Sequence, residues 1–99
     1  MSQQTLCGAI QQMRLVQFWY DGGNRTVEPH MVAVNEAGHV ALSAWFVSGY
    51  SESGGGQGWR EYLLSEIGSL SVLNDQFSGP RPGYKPDGGK KFTRVICGL

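Results

Sequence analysis

The sequence predicts a mainly β fold: one N-terminal α-helix followed by about five short strands that close into a small barrel. Three observations point there. Apolar residues recur with a helical period only over about residues 3–14, and from residue 15 the period becomes two. Fifteen glycines, about twice the usual share, cluster between the alternating runs as turn punctuation. The chain of 99 residues is one domain, and strands this short remove their exposed edges by closing on themselves. The same pattern also admits an α+β arrangement with the helix laid across an open sheet.

In the first element Leu6, Ala9, Ile10 and Met13 fall at i, i+3, i+4 and i+7, a single apolar stripe, with Ser2 or Thr5 able to cap it. Gly8 weakens this helix by about 1 kcal/mol relative to alanine, so it needs a surface to dock on. Next, Val16, Phe18 and Tyr20 share one strand face, and Gln17 and Trp19 the other. Asp21-Gly22-Gly23-Asn24 is turn chemistry. A second strand follows from about Arg25 to Val34, and Pro29, lacking an N–H, puts it at an edge or bends it. After the turn "NEAGH", "HVALSAWFV" alternates cleanly. "SGYSESGGGQG" reads as a flexible loop. "WREYLLSEI" reads as a fourth strand with Arg60 and Tyr62 on one side and Trp59 and Glu61 on the other, and "SLSVL" continues it past Gly68. Barrel strands thus fill about residues 15–77. The Pro/Gly-rich segment 78–91 holds no regular structure, and a last strand spans about 92–97.

Charge is light and unevenly spread. Net charge is zero, so no nucleic-acid partner follows from the total. Residues 1–80 carry three cationic against seven acidic side chains, whereas residues 81–99 carry five cationic against one acidic. Arg81, Lys85, Lys90, Lys91 and Arg94, with Tyr84 among them, form a basic C-terminal arm, read either as a solvated loop or as an anion-binding element. No apolar run approaches the ~20 residues of a membrane span, and the N-terminus lacks the pattern of an export signal. Hence Cys7 and Cys97 are expected to be reduced and the protein cytoplasmic. No metal or cofactor is expected, since two distant cysteines and lone His30 and His39 lack ligand spacing. Ser43 and Ser65 have no His-acid relay, and Glu61 and Glu66 face opposite sides of a regular strand, so catalysis is not expected.

The order of motifs resembles one family. "AI" at the helix end, the strand "VQFWY", a Gly-rich turn, "RTVEP", an apolar hairpin, a loop, "WREYLLSEI" and then Phe77 run in the order found in WYL domains, over about residues 6–77. The resemblance implies an Sm-like or SH3-like five-stranded barrel. It also implies a non-enzymatic sensor module of bacterial regulators that binds a nucleotide-type ligand or single-stranded nucleic acid. On that reading Arg25 anchors an anion, with Trp19, Tyr20, His30 and Arg60 around it. The chain departs from the pattern at Val40-Ala41-Leu42, where the family's naming tripeptide stands. It departs again at Leu63, Ser65 and Glu66, where polar or basic residues are usual, and it lacks a winged-helix partner. The alternative is a protein-interaction barrel, paired with a second copy or another protein, whose ligand site has decayed.

Overall fold

The computed structural model describes residues 2–51 and 54–99, so part of the predicted flexible loop lies outside the described residues. Helix α1 (Ser2–Gln11) is followed by β1 (Arg14–Tyr20), β2 (Gly23–Asn35), β3 (Val40–Gly49), β4 (Gly58–Leu63), β5 (Gly68–Gln76) and β6 (Phe92–Gly98). The fold is mainly β, with one N-terminal helix and an antiparallel sheet ordered β4-β3-β2-β1-β5, to which β6 adds by pairing with β2. Among the described residues no ladder closes the sheet.

The helix stripe holds at Leu6, Ala9 and Ile10, all buried, but not at Met13, which is 36% exposed. The helix stops earlier than its apolar pattern because Met13 takes φ of 52°, a left-handed turn that reverses the chain into β1. β1 follows its alternation: Val16 and Phe18 are fully buried and Trp19 is 49% exposed. Tyr20 pairs with Gly23, and between them Asp21 and Gly22 both have positive φ, as a tight two-residue hairpin requires.

β2 is the spine. It pairs with β1 through its first half, with β3 along most of its length, and with β6 through its second half. Pro29 therefore does not mark an edge. It marks a bend: the β2–β3 register slips between Pro29 and Met31, leaving His30 as the extra residue.

Among the described residues six strands stand where about five were expected. "WREYLLSEI" is not one strand, because β4 ends at Leu63 and Leu64–Glu66 form a 3-10 turn. Gly68–Gln76 then does not prolong β4 but crosses to pair with β1, Val72 opposite Val16. Tyr20 in β1 ties this corner, its hydroxyl oxygen accepting the Leu63 N–H at 3.1 Å.

One sheet face carries the core. Val16, Phe18, Val27, Leu42, Ala44, Phe46 and Tyr62 pack there against the helix stripe. Tyr62 meets Phe18 and Tyr20 edge-to-face, both at 5.0 Å between ring centroids. Cys7 and Cys97, expected to be reduced, are instead disulfide-bonded, with Cα atoms 5.8 Å apart. Docking of α1 on the core brings Cys7 beside β6, a proximity that a sequence separation of 90 conceals. Among the described residues no helix is long and apolar enough to cross a membrane.

Candidate functional site

On the face opposite the core, Glu28, Trp45 and Trp59 lie side by side on β2, β3 and β4, in register. The irregular segment 77–91 crosses this row as a strap. Arg81 grips the buried Glu28 carboxylate with two parallel bonds, Nε to Oε1 at 2.8 Å and a terminal nitrogen to Oε2 at 2.9 Å. Its guanidinium also sits 5.0 Å above the Trp45 ring. Trp59 donates its indole N–H to the Pro82 carbonyl at 2.8 Å. Gly83, at φ of +92°, passes so close that a Cβ there would lie 3.2 Å from that indole nitrogen.

His30 sits beneath the strap, fully buried. Nδ1 donates to the Glu28 carbonyl at 2.8 Å, and Nε2 accepts the Arg81 backbone N–H at 3.1 Å. Both nitrogens are thus engaged in the neutral tautomer. The ring stacks on Phe77 at 5.3 Å and meets Trp59 at 4.7 Å. Burial pushes the imidazole below its usual pKa; the Glu28 carbonyl and carboxylate pull it partly back, and the Arg81 charge adds to the fall. The Tyr84 hydroxyl lies 3.1 Å from the Leu99 carbonyl and 3.3 Å from that of His30, and burial raises its pKa. Its approach needs Gly98, where a Cβ would come within 2.7 Å of the hydroxyl.

Beside the strap, a groove of about 1170 Å³ opens between β4 and residues 83–92. Trp59, Tyr84 and Phe92 give it rings, and Lys85, Lys90 and Lys91 give it charge. Arg60 borders it from β4 but turns its guanidinium over Phe46 on the other sheet face, and the acidic Glu61 and Asp87 also line the groove, so three lysines stand against two carboxylates. Trp59 and Tyr84 are stacked, 6.3 Å apart and 21° from parallel.

The residues expected around Arg25 do not gather there. Arg25, 7% exposed, lies on the core face, where its guanidinium is flanked by the rings of Tyr50 at 5.2 Å, Tyr20 at 5.5 Å and Tyr62 at 5.9 Å. A terminal nitrogen donates to the Tyr20 carbonyl at 2.8 Å. Its Nε and the Tyr62 hydroxyl are buried with no hydrogen bond of good geometry among the described residues; burial raises the Tyr62 pKa, and the adjacent Arg25 guanidinium pulls it partly back. Tyr20 shares this cage; Trp19 points away on the other face, and His30 lies beneath the strap. Arg60 donates to the Trp59 and Gly56 carbonyls at 2.9 and 3.0 Å and sits over Phe46.

Of the basic arm, Arg81 is consumed by Glu28, while Lys85, Lys90 and Lys91 line the groove and Arg94 is exposed on β6. Sequence reasoning did not connect Glu28 with Arg81, nor Trp59 and Tyr84 with one groove. The partners lie 53 and 25 residues apart, and only the strap's path joins them. Among the described residues no three His, Cys, Asp or Glu side chains come together as a metal site would need. Comparison with protein-family models, curated proteins and solved structures found no match to the chain.

Proposed function

We propose that the chain is a non-enzymatic binding module, WYL-like in the order of its elements. Its groove between β4 and residues 83–92 receives an anionic ligand of nucleotide type or a short single-stranded nucleic acid. The observation that carries this reading is the convergence of Lys85, Lys90 and Lys91 with the rings of Trp59, Tyr84 and Phe92 around one open groove. Cations neutralise phosphates, and rings stack bases without regard to sequence. The groove, about 1170 Å³ and open to solvent, is large enough for a nucleotide-sized ligand. Arg25, enclosed by tyrosines, contributes to folding in this reading, and the ligand face moves to the arm. The architecture is read as an Sm-like or SH3-like barrel with one unpaired seam: β4 and β5 are the two ends of the strand order, yet only residues 64–67 separate them.

The test is a thermal-shift titration with mononucleotides, cyclic dinucleotides and short single-stranded DNA and RNA. It compares the wild-type chain with a Lys85→Glu/Lys90→Glu/Lys91→Glu variant and with Arg25→Ala. A ligand at 100 times its Kd stabilises by about 2.7 kcal/mol, a shift of several degrees. The shift is expected to vanish in the triple variant and to shrink with salt, the single-strand affinity falling with a log-log slope of about −0.7 per phosphate engaged. A second reading, a protein-interaction module, is favoured by the exposed Trp19 at the β1–β5 margin and by Tyr50 at 45% exposure. A well-folded sample that no ligand stabilises, and that dimerises in solution, selects it.

A further inference from the structure

We infer that the Cys7–Cys97 disulfide is a site of thiol–disulfide exchange, open to a dithiol reductant in the folded protein, rather than a sealed crosslink. Both cysteines are only partly buried, and both line a second, open groove of about 430 Å³. The neighbouring lining is bare and uncharged. Gly8 and Gly98 have no side chains to cover the sulfurs, and Gln4 and Gln11 carry no carboxylate to repel an incoming thiolate. Gly8 is not there for packing, because a Cβ at that position would meet nothing within 4 Å. A glycine inside a helix costs stability, so its place next to Cys7 leaves the approach clear at the helix's expense.

Exchange proceeds in two balanced steps. A thiolate of the dithiol attacks one sulfur of the pair; a mixed disulfide forms as the Cys7–Cys97 bond breaks, and the departing cysteine thiolate takes a proton from water. The second thiol of the reductant, losing its proton, then displaces the remaining cysteine. Two electrons pass to the protein, which holds two thiols, and the reductant leaves as its own disulfide. The partner is therefore a protein or small molecule bearing a reduced dithiol. The consequence falls on α1, which is joined to β6 by this bond and otherwise held mainly through Leu6, Ala9 and Ile10 on the core.

The experiment follows reduction of the intact chain by dithiothreitol and by glutathione, with thiol labelling and mass spectrometry. The expected rate is linear in reductant and unchanged by urea too dilute to unfold the protein. A glutathione adduct is expected on Cys7 or Cys97, and Gly8→Leu, which fills the groove while favouring the helix, is expected to slow reduction at least tenfold. A rate that saturates with reductant, or that climbs with urea in step with global unfolding, overturns the inference, as does a Gly8→Leu chain, shown folded by circular dichroism, that is reduced as fast as wild type.

Discussion

Arg25 and His30 stand on the same strand and show how one residue's chemistry is decided by its enclosure. His30 has both nitrogens satisfied and is held neutral by burial. Its folded pKa lies below the unfolded value of 6.5, so above that pH both states are neutral and its contribution to stability is complete. As pH falls through the unfolded pKa toward the folded one, the unfolded chain binds the proton first and stability is lost. Urea midpoints should therefore decline from about pH 7 to about pH 5, with a shallower slope in His30→Gln. Around Arg25 the Tyr62 hydroxyl is buried with no hydrogen bond of good geometry among the described residues. Removing a hydroxyl that makes no well-formed bond returns its desolvation cost, less its attraction to the Arg25 guanidinium beside it. Tyr62→Phe should thus leave the melting temperature unchanged or raise it, by at most about 1 kcal/mol in stability; a loss of more than that would reveal a bond the hydroxyl makes.

At the scale of elements the strap is the decisive piece. Residues 77–91 have no ladder of their own, yet four side chains nail them down: Arg81 to Glu28, Trp59 to Pro82, His30 to the Arg81 amide, and Tyr84 toward Leu99. Gly83→Ala combines a strained positive φ with a close approach to Trp59 and should cost about 1–2 kcal/mol. Arg81→Ala removes the carboxylate's partner and leaves Glu28 buried and unpaired. Both variants should speed proteolytic cleavage within 77–91 and shift Trp fluorescence to the red, while far-ultraviolet circular dichroism stays sheet-like. A strap that resists protease as well in Arg81→Ala as in wild type would show that the ion pair does not hold it. Its composition could not announce this order: Pro and Gly exclude regular structure, but order here comes from contacts 15 to 54 residues away.

For the whole molecule, the disulfide closes nearly the entire chain into one loop. In the chain-entropy account a loop of this size is worth about 4–5 kcal/mol, a large share of a typical domain's 5–15 kcal/mol. Cys7→Ser/Cys97→Ser should therefore melt well below wild type, and reductant should lower the wild-type midpoint toward the variant's without moving the variant. Equal midpoints for oxidised wild type and variant would show that α1 is held by its apolar stripe alone.

What the sequence determined by itself was everything written in short-range periodicity: the helical stripe of Leu6, Ala9 and Ile10, the inward Phe18 and Tyr20 with Trp19 outward, a turn within Asp21-Gly22-Gly23-Asn24, the alternation of β3, and the β6 boundary near Phe92. These depend on a period of 3.6 or 2 and on local backbone sterics, which neighbours in sequence fully specify. Tertiary structure alone decided that "WREYLLSEI" breaks at Leu63, that of an edge or a bend at Pro29 it is the bend, and that Cys7 bonds Cys97. It also decided that Arg25 is enclosed by tyrosines while the lysines of a loop meet Trp59 across a groove. Each of these depends on which distant surfaces meet, and that is set by the helix closing one face of the sheet and the strap closing the other.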